Sequence, residues 1–200
     1  MTVDPFERVI TVAEEVSDAF ARRGHKVALI GAAAMAVHGY TRATRDVELG
    51  AAGVPLALLR EVADELRASG YGVEVGEPDL SDPLGGVVRV EVSDGLQVDV
   101  VNFGNPFTGA GRRVGAAALG GELIPVPGRR LAVVGVAPLV LLKLAAGSRL
   151  DLRDAAELLA RHPEVDRAAL REQCKALRLD RKLARVLDDL AAPPDDEPLP

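Results

Sequence analysis

The chain has 200 residues, 48% of them hydrophobic and 27% charged, with a formal charge of −6 at pH 7. A chain of this length buries roughly 70% of its unfolded surface in one core, so it needs no disulfide or structural metal, and its composition excludes disorder for most of its length. The acidity argues against a protein that coats DNA or RNA without specificity, and 3% aromatic content without tryptophan disfavours a base-stacking reader.

Apolar residues at Phe6, Val9, Ile10, Ala13, Val16 and Phe20 predict a helix over 5–23, with Pro5 in its first turn and Gly24 as its stop. Residues 26–30 read as a short buried strand. Residues 32–39 are small and suit a helix packed closely on it. The alternation in 46–49 predicts a second strand, and 54–69 an amphipathic helix closed by Gly70. Three strands are predicted over 71–75, 86–92 and 96–103, the last two joined by Ser93-Asp94-Gly95, where glycine accepts positive φ. The Gly-rich stretch 104–121 reads as a loop, and 123–126 with 131–134 as a hairpin around Pro127-Gly128. Helices are predicted over 138–146, 150–161, 165–177 and 181–190, followed by a disordered acidic tail over 193–200. The expected organisation is an α/β (α+β) core over 1–135, a helical region over 136–192, and the tail. Charge is uneven: 161–185 carry eight Lys/Arg against four acids, and 186–200 carry five acids and no base.

The chemistry concentrates between Gly31 and Leu49. On a strand, Asp46 and Glu48 share one face while Val47 and Leu49 take the other. Two carboxylates about 6 Å apart repel by about 3 kcal/mol at an effective dielectric of 20 and far less in open water. A sheltered pair therefore calls for a cation, and hard oxygen ligands suit Mg²⁺ or Mn²⁺. A fully exposed pair is only a solvated strand. Asp99, inside Gln97-Val-Asp-Val-Val101, is out of place in a buried strand unless something pairs with it. Three carboxylates on neighbouring strands can hold two divalent ions about 4 Å apart for an in-line phosphoryl displacement. An edge-strand Asp facing water is the alternative.

Gly31, a short helix, and then Arg42-x-Thr44-x-Asp46-x-Glu48 resembles the first motif of the nucleotidyltransferase superfamily of DNA polymerase β type. In particular, it is similar to the bacterial AbiEii/AbiGii-toxin-like and related uncharacterised nucleotidyltransferases. The stretch Lys143…Arg149-Leu-Asp151-Leu-Arg-Asp154 is similar to the Lys…Arg and Asp-x-x-Asp motifs of those proteins, so the likeness spans roughly residues 25–160. The resemblance implies a mixed-sheet nucleotidyltransferase core with a C-terminal helical region, Mg²⁺ (or Mn²⁺), an NTP substrate, and nucleotidyl transfer with release of pyrophosphate. Under it, Asp46, Glu48 and Asp99 are the catalytic metal ligands, Asp99 also being placed to take the acceptor's proton. Gly31 lets backbone amides approach the triphosphate, with Ala32, Arg42 and Thr44 beside it. Lys143 contacts the phosphates, Arg149 supports them, and Asp151 and Asp154 match the last motif. Two positions depart from the pattern: Ala32 stands where the family usually has Ser or Gly, and Glu48 where it usually has Asp.

Each residue also has a plainer reading. Lys143, among leucines, can snorkel to the surface, and Arg42 can serve only as a partner of Asp46. Asp151 and Asp154 can be an N-cap and a first-turn acid. His38 reads as a packed or hydrogen-bonded histidine, and His25 and His162 have no companions at zinc-ligand spacing. Cys174, in phase with Leu170 and Leu177, reads as a core thiol. Arg167, Arg171, Lys175 and Arg178 form a helical stripe that either tracks an RNA backbone or is a solvated face.

The leading expectation is a nucleotidyltransferase acting on RNA, with a tRNA end and a toxin–antitoxin setting as the implied case, where an antitoxin chain would be a partner. The alternatives are nucleotidylation of a small molecule such as an aminoglycoside, which the acidity suits, and an inactive nucleotide-binding or interaction module of the same fold. The single cysteine, the lack of an apolar run near 18 residues and the lack of a signal-peptide pattern give the expectation of a cytoplasmic protein without a membrane span.

Overall fold

The computed structural model describes residues 4–93, 95–109 and 111–191. The predicted tail over 193–200 and the turn residue Asp94 lie outside the described residues. Helix α1 (Pro5–Ala21) starts where the Asp4 carboxylate accepts from the Phe6 N–H at 3.0 Å, with Pro5 in the first turn, and it buries Val9, Ala13, Val16 and Phe20. Then follow β1 (Ala28–Leu29), α2 (Gly31–Val37), β2 (Asp46–Ala52), α3 (Leu56–Ala68), β3 (Gly72–Gly76), β4 (Leu84–Ser93) and β5 (Leu96–Phe103). After α4 (Arg112–Leu119) come β6 (Ile124–Pro125), β7 (Ala132–Val133), α5 (Val136–Ala146), α6 (Arg149–Arg161), α7 (Arg167–Leu177) and α8 (Asp180–Ala191).

The strands form one mixed sheet in the order β3-β4-β5-β2-β1-β7-β6. β2 runs parallel to β5, and β1 parallel to β7; the other neighbouring pairs are antiparallel. Strand alternation gives the central strands two unlike faces. On one, Val47, Val98 and Val90 stand side by side, as do Leu49, Val100 and Val88, each at most 1% exposed. Helices α1 and α3 cover that face, α3 through Leu59, Val62, Ala63 and Leu66. The other face carries Asp46, Gln97 and Glu91 in one row and Glu48, Asp99 and Arg89 in the next. Beyond them come Gly50, Val101 and Val87, where α4 packs.

Helix α4 corrects the expectation of a loop over 104–121. Its glycine content reads as loop, yet Gly115 is what brings the helix onto the sheet. A Cβ there would stand 2.4 Å from the Phe103 Cβ, so only a residue without a side chain allows this close approach. The basic residues of α7 follow the solvated-face alternative, apart from Arg167. α7 ends at Leu177; Arg178 is its left-handed C-cap with φ 61°, and the Arg167 guanidinium donates to the Leu159 carbonyl. Arg171, Lys175 and Arg178 are exposed, so only Arg167 is withdrawn from the solvated face.

His38 and His162 hold α2 to the end of α6. Carbonyls only accept, so each Nε2 must donate: His38 to the Val134 carbonyl at 2.7 Å and His162 to the His38 carbonyl at 2.9 Å. The rings meet edge-on at 6.0 Å. Cys174 is buried, and burial, with the Asp180 charge adding to it, pushes its thiol up to about 11, which leaves it protonated and inert at neutral pH. Among the described residues no helix is long and apolar enough to cross a membrane.

Candidate functional site

The acidic residues meet because β2 and β5 are parallel and in register. Glu48 pairs with Asp99, Asp46 pairs with Gln97, and the two-residue step along β2 keeps Asp46 on the face of Glu48. Asp99 is 8% exposed. Its partner is one that the sequence reading missed: Arg89, directly opposite on β4, donates through Nε to Asp99 Oδ1 at 3.2 Å, while Gln97 Nε2 donates to Oδ2 at 3.2 Å. Asp46 accepts from the Thr44 hydroxyl at 2.8 Å and the Arg45 N–H at 3.2 Å, which fixes the carboxylate at the mouth of the strand.

As the side chains lie, no three His, Cys, Asp or Glu residues among the described residues stand together closely enough to hold a metal ion. Asp99 is turned to Arg89 and Asp46 to Thr44, so the three acids share a face without converging on one point. Their electrostatics nonetheless register the crowding. Glu48 has its pKa raised, first by burial and then by Asp46 and Asp99, while Lys143 and Arg42 work in the opposite direction. Asp99 is raised too, by burial first and by Asp46, against the lowering pull of Arg89 and Gln97.

Gly31 lies against the Glu48 carboxylate. Its φ is +60°, and a Cβ at this position would fall 1.6 Å from Glu48 Oε2, so both backbone and space require glycine. The Ile30 N–H donates to the Glu48 carbonyl at 2.9 Å and holds the turn to the strand. Ala32 is buried in α2, at 4% exposure.

A charged network stands beside this row. Lys143 neither snorkels nor stands free: its ammonium is 3.1 Å from Asp151 Oδ1 and 2.9 Å from Asp154 Oδ2. Arg42 Nε reaches Asp154 Oδ2 at 3.3 Å, so the partner of Arg42 is Asp154 and not Asp46. Asp154 is wholly buried, which corrects its reading as a first-turn acid. The N-cap of α6 is Ser148, and Asp151 is the third residue of its capping box, accepting from the Ser148 N–H at 3.2 Å. Burial works to raise the Asp151 pKa, but the Ser148 and Lys143 hydrogen bonds and the Lys143 charge hold it below the usual value. The network thus ties the loop before β2, α5 and α6 together. Arg149 is exposed on the first turn of α6 and takes no part in it.

A cavity of about 480 Å³ begins at Gly31, Glu48, Lys143 and Asp151 and runs between the sheet, α4 and α5. The rest of its wall is mainly apolar, including Val101, Phe103, Val114, Leu139 and Leu142.

The Glu48 shift sets a stability prediction. A carboxylate whose pKa is raised above 4.5 on folding disfavours the folded state when ionised; that penalty is present above the folded pKa and fades as pH falls through it. Glu48→Gln should therefore raise the melting temperature of the metal-free protein at pH 7–8, by roughly 2–4 °C for each kcal/mol relieved, and the gain should shrink toward pH 5. A lower melting temperature at pH 7–8 would show that Glu48 is better solvated than its surroundings imply.

No family model and no curated protein matches the sequence. Solved structures do share its architecture. The antibiotic-resistance factor ANT(2'')-Ia aligns over 92% of this chain and 97% of its own, at 14% identity and a TM-score of 0.52. An antigenic nucleotidyltransferase-like protein from Paracoccidioides brasiliensis aligns over 91% and 93%, at 14% identity and a TM-score of 0.50. The chain is a mixed α/β protein with acidic residues on its central strands. It has the nucleotidyltransferase fold.

Proposed function

We propose that the protein is a metal-dependent nucleotidyltransferase that moves a nucleoside monophosphate from an NTP to an acceptor hydroxyl. The observation that carries this reading is the register of β2 with β5, which sets Glu48 beside Asp99 on the face of Asp46, next to the cations of Lys143 and Arg42.

The donor set suits Mg²⁺ or Mn²⁺. Asp46, Glu48 and Asp99 offer only hard oxygen atoms, and five carboxylates (these with Asp151 and Asp154) stand near three cations (Arg42, Arg89 and Lys143). Asp46 and Glu48 would hold the ion, and Asp99, paired with Arg89 in this structure, would have to give up that partner to join them. When bound, the metal neutralises phosphate charge and strengthens the electrophile. The Glu48 carboxylate lies over the bare backbone of Gly31, so phosphate oxygens would approach that backbone only as Glu48 turns toward the ion. Asp154 holds Lys143 and Arg42 in place, Lys143 beside Glu48 in the cavity wall, and Thr44 keeps Asp46 oriented.

The acceptor oxygen bonds to the α-phosphorus as the bond from that phosphorus to the bridging oxygen breaks. Pyrophosphate leaves with the electron pair, and the acceptor's proton would pass to the Asp99 carboxylate. The charge of −6 favours a small-molecule acceptor over RNA.

The test uses purified protein, Mg²⁺, NTPs labelled at the α-phosphate, and separate RNA and small-molecule fractions. The reading expects pyrophosphate release matched by label in an acceptor. A protein that binds NTP yet releases no pyrophosphate with any of these acceptors is a binding module of the same fold, and the proposal falls.

A further inference from the structure

We infer that the acceptor is a neutral small molecule with an apolar body and a hydroxyl at one end, seated in the cavity between the sheet, α4 and α5. The inference rests on the nucleotidyl-transfer reading and adds the class of acceptor to it. At about 480 Å³ the cavity has the size of a small-molecule site. It joins the candidate site directly, because Glu48 and Lys143 form part of its wall. Beyond them the wall is Val101, Phe103, Val114 and Leu142.

That lining discriminates among ligands. Lys143 and Asp151 already neutralise each other at 3.1 Å, which leaves Glu48 as the one carboxylate in the wall without an ion-pair partner of its own. A cationic aminosugar would thus bury all but one of its ammonium groups against valine, leucine and phenylalanine without partners, which is strongly unfavourable. A nucleobase would leave ring nitrogens and exocyclic groups unpaired in the same place. An apolar body leaves nothing unpaired, and its hydroxyl would meet Glu48 and Lys143. The loops that bring Pro83 and Gly111 to the cavity also carry Leu80 and Phe107, 78% and 62% exposed, an apolar surface outside it. Asn105 ties these loops together by donating to the Asp79 and Asp82 carbonyls at 2.7 and 2.5 Å.

Calorimetry on the whole chain tests this without turnover, with naphthol as the apolar alcohol, kanamycin as the cationic aminosugar and ATP with Mg²⁺ as the nucleotide. Naphthol should bind and kanamycin should not. Val114→Phe, which fills the cavity from a partly exposed position on α4, should weaken naphthol by about tenfold or more. Val114→Ala should retain binding and serve as the folding control. ATP should leave naphthol affinity unchanged or tighten it. Competition between ATP and naphthol would make the cavity a base pocket and overturn the inference, as would kanamycin binding or indifference to Val114→Phe. A transfer assay then separates the two proposals. Pyrophosphate release with other acceptors while bound naphthol stays unlabelled defeats the acceptor class alone, whereas naphthol binding without pyrophosphate release from any NTP defeats the nucleotidyl-transfer reading.

Discussion

Asp154→Ala should destabilise the protein by about 3–5 kcal/mol, the usual cost of breaking a buried ion pair by removing one partner. Asp154 is wholly buried and meets Lys143 at 2.9 Å and Arg42 at 3.3 Å. Removing it leaves the Lys143 ammonium, only 9% exposed, with Asp151 alone, and frees the loop that carries Arg42. Denaturant unfolding would show the loss as a lower midpoint with an unchanged slope. Removing both charges, in Asp154→Leu with Lys143→Leu, should restore only part of the stability, because Arg42 and Asp151 still lose their partners. Activity should not return with it. A loss below about 1 kcal/mol for Asp154→Ala, the range of exposed pairs, would mean that water reaches the network.

Asp46→Asn should do the opposite: little change in stability and a drop in nucleotidyl transfer of about 10²–10³-fold or more, the scale for removing one group that stabilises developing charge. Asp46 is half-buried at the start of β2, and its bonds to Thr44 and Arg45 survive in the amide. Only the charge is lost. Initial rates of pyrophosphate release at saturating NTP, with melting curves of both proteins, check it. Full activity in Asp46→Asn would remove Asp46 from the site.

Several of these features were legible in the sequence because they depend on local periodicity. Alternation located β5 at Leu96–Phe103 and put Asp46 and Glu48 on one face of β2. The isolation of Asp99 among valines announced a partner. The identity of that partner was hidden, because strand register is a long-range property: nothing local sets Arg89 opposite Asp99. The sign was nonetheless present, since Arg89 between Val88 and Val90 is the counterpart of Asp99 between Val98 and Val100. Asp154 was hidden in the same way, since helix periodicity gives its face but not the burial imposed by α5 and the Arg42 loop. Helix α4 failed on composition, since Gly115 weakens a helix locally and is retained by its contact with Phe103.

The central claim is that the acids of β2 and β5 hold a divalent ion together with an NTP. Calorimetric titration with a non-hydrolysable NTP, with and without Mg²⁺, tests it most directly. The account predicts that Mg²⁺ tightens binding to the wild-type protein by about tenfold or more, and that this gain disappears in Asp46→Asn. Equal affinity with and without Mg²⁺ in the wild-type protein would contradict it.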